Sequence, residues 1–164
     1  MTMMKKSSKH TILFICLGNI CRSPAAEGIM KRIVEEAGLA SEFFIDSAAI
    51  GSWHIGQLPD SRMRKCGAEH GYQFDSHARQ FHTSDFSRFD YIAVMDNENY
   101  RTITSMAPSE ADKQKVVRMA DFLTSHTNSI IPDPYYGNYS DFELVIELLE
   151  DACQGLLKKI LCKN

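Results

Sequence analysis

The hydrophobic pattern near the start of the chain predicts a buried strand followed closely by a helix. Residues 11–16 form a continuous run of apolar and β-forming side chains, which is typical of a strand covered on both faces. Apolar side chains then return at helical spacing until Gly38 ends the helix. Ser23 and Pro24 supply the expected N-cap and first helical residue. The pattern therefore predicts strand, tight loop and helix in succession.

Strand and helix candidates alternate along the middle of the chain. Strands are predicted at residues 43–49, 91–95 and 116–119, and helices at residues 58–70 and 97–106. The connections between strands are long enough for crossovers. This alternation predicts an α/β domain with a mainly parallel sheet.

The last helix has the strongest pattern. Ser140 and Glu143 match a capping box at its start. One apolar stripe, which should pack on the sheet, then contains Phe142, Val145, Ile146, Leu149, Ala152, Cys153, Leu156, Leu157 and Ile160. Residues 124–137, before this helix, form a long irregular segment of the kind that often carries function.

Composition and charge exclude several classes of protein. The chain has 164 residues, of which 44% are hydrophobic and 24% charged, as in one ordinary globular domain. The formal net charge of −3 disfavours a nucleic-acid partner, and no apolar run is long enough to span a membrane. We therefore expect a flexible tail over residues 1–9 and a single domain over residues 10–164, with neither nucleic acid nor membrane as partner.

The expected compartment is the cytoplasm. Three lysines precede the first apolar run, as in a signal peptide, but the run is short and no small-residue cleavage site follows it. The five cysteines are an odd number in a chain of this length, which favours reduced thiols. Export by another route stays open.

The loop over residues 16–23 is the strongest candidate for a chemical site. Cys16 ends the first strand, Gly18 and Asn19 tolerate a left-handed backbone, and Arg22 lies at the start of the helix. Free N–H groups and the positive end of the helix dipole form a binding site for a dianion such as phosphate. The same field favours a thiolate, so we expect Cys16 to be a nucleophile. The planar fork of Arg22 fits two phosphoryl oxygens.

The bare spacing C-x5-R is common by chance, and its structural setting carries the interpretation. A strand before the loop, Gly-Asn within it and Ser-Pro after it together favour a functional loop over an accident of spacing.

The chain resembles the low-molecular-weight protein tyrosine phosphatases. Their signature loop has the form C-x5-R-S and their acid loop reads D-P-Y, and both are present here. The resemblance runs from residue 11 to the last helix. It rests on the loop at residues 16–23 and on Asp46-Ser47-Ala48, Trp53-His54-Ile55-Gly56, His77-Ala78-Arg79-Gln80, Phe89-Asp90-Tyr91 and Asp133-Pro134-Tyr135-Tyr136-Gly137.

The resemblance implies a fold and a reaction. The implied fold is a four-stranded parallel sheet in the order 2-1-3-4, flanked by helices on both faces, with the phosphate loop after the first strand. The implied reaction is metal-independent hydrolysis of protein phosphotyrosine and small aryl phosphates through a phosphocysteine, with no cofactor. Cys16 would be the nucleophile, Arg22 the binder of the phosphoryl oxygens and Asp133 the general acid. The residues alone do not select Asp133 among 21 carboxylates.

Further roles follow from the same resemblance. The phosphate-binding residues would be Leu17, Gly18, Asn19, Ile20, Cys21 and Ser23. Ser23 would also donate to the Cys16 thiolate, with simple N-capping as the alternative. The loop would be supported by Asn19, Ser47 and His77, although His77 taken alone reads as a surface histidine. The substrate rim would contain Trp53, Tyr135 and Tyr136.

Cys21 is implied to protect Cys16 from oxidation by forming a disulfide with it, and the alternative is a small buried residue that packs the loop. The expected ligands are phosphate, vanadate and tungstate. The expected partner is a tyrosine-phosphorylated protein, and the expected state is a monomer that can self-associate weakly.

Four alternatives stay open at this point. A thiol-dependent arsenate reductase has a similar loop but needs further cysteines, and residues 81–95 contain none. A phosphoarginine phosphatase is disfavoured by the apolar Ile20. A phosphate-binding module without catalysis would need neither Cys16 nor Asp133, and a dithiol redox protein would usually have the spacing C-x-x-C.

Overall fold

Four parallel strands form the centre of the structure, which is a computed structural model describing residues 10–162. In their order across the sheet they are β2 (Phe43–Ala49), β1 (His10–Cys16), β3 (Tyr91–Val94) and β4 (Val116–Arg118). The predicted α/β class and the order 2-1-3-4 are confirmed. The tail predicted over residues 1–9 lies outside the described residues.

The connections between the strands contain helices of very different length. Within residues 10–162 the helices are α1 (Arg22–Glu36), α2 (Ser61–Glu69), α3 (Asp85–Arg88), α4 (Asn97–Ser105), α5 (Glu110–Lys113) and α6 (Tyr139–Cys162), with 3-10 helices at Ala40–Glu42 and Met119–Phe122. The sequence pattern did not predict α3 and α5, because a single turn is too short to show helical periodicity.

The central position of β1 explains its continuous apolar run. Ile12 and Phe14 pack with α1 and α6 on one face of the sheet, whereas Leu13 and Ile15 pack on the other face with residues from α3 and α4. All four side chains are fully buried. A parallel strand covered on both faces has no solvent-facing side, and polar alternation is therefore absent.

Helix α1 begins two residues earlier than predicted, at Arg22 instead of Pro24. Cys21 occupies the N-cap position and makes no side-chain capping bond, so the prediction of Ser23 as N-cap is wrong. Ser23 lies in the first turn, where its hydroxyl contacts the Cys16 sulfur at 3.0 Å. The capping role is lost because the side chain turns towards the loop.

The start of α6 also differs from the prediction. The side-chain oxygen of Asn138 accepts from the Ser140 N–H at 3.1 Å, and the Asp141 carboxylate accepts from the Asn138 N–H at 2.8 Å. The reciprocal pair is therefore Asn138 with Asp141, two residues before the predicted Ser140 with Glu143. An amide and a carboxylate at this spacing satisfy the free N–H groups as well as a capping box does.

The predicted apolar stripe of α6 is confirmed, since all nine of its residues are buried. The helix packs closely on the 3-10 helix Met119–Phe122 through Gly155. A Cβ atom built at Gly155 would lie 1.9 Å from the carbonyl oxygen of Phe122. Glycine is therefore needed here for close approach of two backbones.

We expect Gly155→Ala to destabilise the protein by about 2 kcal/mol, because overpacking against a backbone oxygen cannot be relieved by a side-chain movement. This loss should exceed the gain of about 1 kcal/mol in helix propensity. Thermal unfolding measures the difference, with Gln154→Ala at the exposed neighbouring position as control. A melting temperature for Gly155→Ala equal to that of Gln154→Ala would contradict the expectation.

Candidate active site

The loop between β1 and α1 curls around the sulfur of Cys16. The backbone N–H groups of Asn19 and Ser23 point at this sulfur from 3.3 and 3.4 Å, and the Ser23 hydroxyl lies 3.0 Å from it. Asn19 has a φ of 57°, in the left-handed region, which is the tight backbone expected of this loop. Three polar groups therefore converge on one buried sulfur.

Arg22 is buried beside the sulfur and held from two sides. Its Nη1 donates to Asp96 Oδ2 at 2.8 Å and to the carbonyl oxygen of Ile131 at 3.0 Å. Burial disfavours the charge on the guanidinium. The Cys16 sulfur and the carboxylates of Asp96 and Asp133 outweigh that cost and raise the pKa of Arg22 above its ordinary value. The cation is therefore fixed in place and permanently charged.

Asp133 reaches the same place from the irregular segment before α6. Its Oδ2 lies 3.5 Å from Nη2 of Arg22, and its other oxygen accepts from the Tyr135 N–H at 3.1 Å. The segment is anchored two residues earlier, where buried Ile131 donates its N–H to the Met95 carbonyl oxygen at 2.8 Å. The Asp133 side chain stays 43% exposed, open to solvent and to a ligand.

A cavity of about 430 Å³ opens over these groups. The structure brings together in its lining most of the residues predicted for nucleophile, anion binding, acid and rim: Cys16, Leu17, Gly18, Ile20, Cys21, Arg22, Trp53, Asp133, Tyr135 and Tyr136. Trp53 and Tyr136 are largely exposed, with relative exposures of 66% and 95%. The cavity therefore has a polar, charged part at the loop and an aromatic mouth.

Side chains behind the loop support it. Asn19 donates its amide N–H groups to Ser23 Oγ at 2.7 Å and to Ser47 Oγ at 3.0 Å, and its amide oxygen accepts from the Arg79 N–H at 3.1 Å. The structure thus places Asn19 and Ser47 together as predicted. It does not bring His77 to them, because the chain buries Ala78 and turns His77 outward to solvent. The backbone of Arg79 occupies the supporting position instead.

Two residues of the site were not predicted. Asp96 follows β3, the strand beside β1, so its position at the carboxyl edge of the sheet was a usable signal. Its side chain also accepts from the Asn99 N–H at 2.8 Å and caps α4. His54 lines the cavity, with its Nδ1 3.0 Å from the side-chain oxygen of Gln57. His54 belongs to the segment Trp53-His54-Ile55-Gly56, on which the resemblance partly rests. Nothing else in the sequence marked it as a residue of the site.

Cys21 lies in the cavity lining as a free thiol. Burial raises the pKa of the Cys21 thiol, and the negative charges of Cys16 and Asp60 add to that effect. Burial likewise raises the pKa of Cys66 to about 11. These two thiols are therefore neutral at physiological pH.

Among the residues that the structure describes, no three His, Cys, Asp or Glu side chains converge in a way that could hold a metal ion. The search of the same residues finds no helix with the length and apolar character of a membrane span.

Residues 11–164 match the family model described as low molecular weight phosphotyrosine protein phosphatase. The chain belongs to this family. It is therefore a protein-tyrosine phosphatase, a phosphoric monoester hydrolase, and the resemblance found in the sequence is confirmed. Membership implies phosphoprotein substrates and a phosphate-binding site.

Relatives of this phosphatase agree in length and fold. It is 41% identical to a low molecular weight protein-tyrosine phosphatase of Streptomyces coelicolor, over 92% of this chain and 93% of the relative. A crystal structure of a protein tyrosine phosphatase from Entamoeba histolytica, with Hepes in its active site, is 49% identical and matches with a TM-score of 0.90. That match covers 92% of this chain and 96% of the other. A Drosophila arginine phosphatase, 30% identical, matches with a TM-score of 0.84 over 91% and 96% of the chains.

We expect thiol alkylation of the phosphatase at pH 7.5 to separate its cysteines into two groups. Cys16 should react because polar groups stabilise its thiolate, and Cys162 because it is exposed. Cys21, Cys66 and Cys153 should resist, since burial raises their pKa values and they stay protonated at pH 7.5.

Peptide mapping by mass spectrometry after brief iodoacetamide treatment measures this pattern. Inorganic phosphate is the matched control, because it should protect Cys16 and leave Cys162 reactive. Rapid labelling of Cys21 would contradict the prediction.

Proposed function

We propose that this phosphatase hydrolyses phosphotyrosine in proteins, and small aryl phosphates, through a phosphocysteine intermediate on Cys16 without a metal ion. The observation that carries the proposal is the convergence of the polar loop groups on the Cys16 sulfur, in a cavity that also contains Arg22 and Asp133. The guanidinium and the loop amides supply the positive charge that a metal ion provides in other phosphoryl-transfer enzymes.

In the first step the Cys16 thiolate attacks phosphorus. The P–S bond forms as the bond between phosphorus and the aryl oxygen breaks, and the electron pair of that bond goes to the oxygen. Asp133 donates its proton to this oxygen, so that a neutral phenol leaves. Arg22 and the loop N–H groups bind the equatorial oxygens, where charge is spread in the transition state.

In the second step water attacks the phosphocysteine. Asp133, now a carboxylate, takes a proton from the water as the new P–O bond forms. The P–S bond breaks and its electron pair returns to sulfur, where the Ser23 hydroxyl stabilises it. Inorganic phosphate leaves, and the enzyme regains its starting protonation. Two easier steps thus replace one difficult step.

The aromatic mouth supports phosphotyrosine as substrate. Trp53, Tyr135 and Tyr136 surround the entrance, and their faces can pack on the ring of a phosphotyrosine side chain. Phosphoserine is too short to place a phosphate beside Cys16 while filling this mouth. Phosphoarginine is the alternative substrate, since a Drosophila arginine phosphatase shares the fold, but the apolar Ile20 lines the cavity here.

We place the phosphatase domain at residues 10–164, acting in the cytoplasm as a monomer that can self-associate weakly, with phosphate, vanadate and tungstate as ligands. Cys21 is proposed as the resolving thiol that forms a disulfide with oxidised Cys16. Its support is that both cysteines line one cavity.

We expect Cys16→Ser to abolish hydrolysis of p-nitrophenyl phosphate, because serine at this position lacks the ionised sulfur that forms the intermediate. Wild-type activity should persist in EDTA and be blocked by vanadate. The assay is release of p-nitrophenolate, with Cys162→Ser as the control for removal of a cysteine outside the cavity. Activity retained by Cys16→Ser, or lost by the wild type in EDTA, would contradict the mechanism.

We expect Asp133→Ala to lower kcat by about 10² to 10⁴ for phenyl phosphate, the contribution typical of a positioned general acid. The loss should be much smaller for aryl phosphates with activated leaving groups, because these leave without a proton. Steady-state kinetics across a series of substituted phenyl phosphates measures the difference. Equal losses across the series would remove Asp133 from the role of acid.

A further inference from the structure

Glu27 is a buried carboxylate that the mechanism above does not use. It lies on α1 one turn after the phosphate loop and is only 5% exposed. Its Oε1 accepts from the Ser47 hydroxyl at 2.6 Å, and its Oε2 accepts from Lys31 Nζ at 2.6 Å. Lys31 is more than half exposed, so the carboxylate joins the protein surface to the support behind the loop. A buried charge is costly unless it serves such a partner.

An ionised carboxylate fixes the direction of the hydrogen bonds that follow it. A carboxylate only accepts, so the Ser47 hydroxyl hydrogen must point at Glu27. The Ser47 oxygen is then left to accept from the amide of Asn19 at 3.0 Å. Each group thus presents a defined hydrogen or lone pair to the next.

The same direction continues to the nucleophile. The Asn19 amide oxygen is occupied by the Arg79 N–H, so its two N–H groups face Ser47 and Ser23. Ser23 therefore accepts from Asn19, and its own hydrogen remains for the Cys16 sulfur 3.0 Å away. A single polar chain connects Glu27 to the reacting sulfur.

We propose that Glu27 is a positioning residue that, together with the Arg79 N–H, sets the direction of this hydrogen-bonded chain, so that Ser23 donates its hydrogen to the Cys16 sulfur. The inference rests on the proposed function. Its effect is greatest in the second step, when the P–S bond breaks and the electron pair returns to sulfur. A hydrogen bond donated at that moment stabilises the departing thiolate.

Glu27→Gln tests the direction of this hydrogen-bonded chain, because the two side chains have almost the same shape. Lys31 lies beside one oxygen and should hold the amide oxygen of the new side chain, which turns the NH₂ group towards Ser47. Ser47 would then face donors from both sides, so its own hydrogen has no acceptor and its bond from Asn19 is weakened. Asn19 would keep only the Arg79 N–H as a fixed partner behind the loop, and it would hold Ser23 less firmly in the orientation that donates to Cys16. We expect kcat for p-nitrophenyl phosphate to fall about tenfold, with KM little changed. Rapid-quench experiments should show a burst of nitrophenolate and accumulated phosphocysteine.

The sign of the change separates this proposal from a simple charge effect. Removing a negative charge behind the loop would by itself favour an ionised sulfur and would speed its departure. A higher or unchanged kcat in Glu27→Gln would therefore overturn the proposal.

The double variant Glu27→Gln with Lys31→Met gives a sharper test. Without Lys31 the amide can turn its oxygen towards Ser47 and restore the original direction, so most of the lost kcat should return. Lys31→Met alone is the matched control: it lowers the stability of the protein but leaves the Glu27 carboxylate to accept from Ser47, so its kcat should stay close to that of the wild type. A double variant as slow as Glu27→Gln alone would overturn the proposal.

Ser47→Ala interrupts the hydrogen-bonded chain and leaves the ion pair of Glu27 and Lys31 in place. This variant decides the outcome if Glu27→Gln lowers the melting temperature. It should slow the second step selectively, and a wild-type kcat would overturn the proposal. The wild type and Cys16→Ser are measured in parallel. An inactive wild type would defeat the proposed function itself, whereas an active wild type with unaffected variants defeats only the role of Glu27.

Discussion

The site depends on holding the Cys16 sulfur and a buried guanidinium close together without a solvent shell. Cys16 and Arg22 lie at the two ends of one short loop, each almost fully buried. The fold supplies polar partners to both groups, which are loop N–H groups for the sulfur and Asp96 for the guanidinium. Such an arrangement needs no reorganisation when a phosphoryl group enters, because its dipoles are already oriented.

The parallel sheet brings these polar and charged groups together at one edge. Cys16 ends β1 at the carboxyl edge, and Asp96 follows β3 at the same edge, so two neighbouring strands deliver both groups to one place. The apolar residues of β1 are covered on both faces and fix the strand rigidly. Precision at the sulfur is therefore a consequence of packing in the strand behind it.

The sequence predicted the features that depend on local pattern. It missed those that depend on which distant residues a side chain contacts in the folded protein. The strand ending at Cys16 and the helix after it follow from periodicity and from turn-forming residues. Asp133 came only from the resemblance, because nothing local distinguishes it from other carboxylates. Asp96 and Glu27 were missed since their roles arise from partners far along the chain. His77 was misplaced because a shift of one residue in an extended segment exchanges the buried and exposed sides.

The double anchorage of Ile131 has a consequence for where this chain can change in length. Its N–H is bound at the end of β3 and its carbonyl oxygen is bound by Arg22, only two residues before Asp133. Residues 127–129, on the other side of this anchor, are exposed. Evolution can therefore lengthen or shorten the chain at residues 127–129 with little penalty, while a single insertion at Pro132 would carry the acid out of reach of the phosphoryl group.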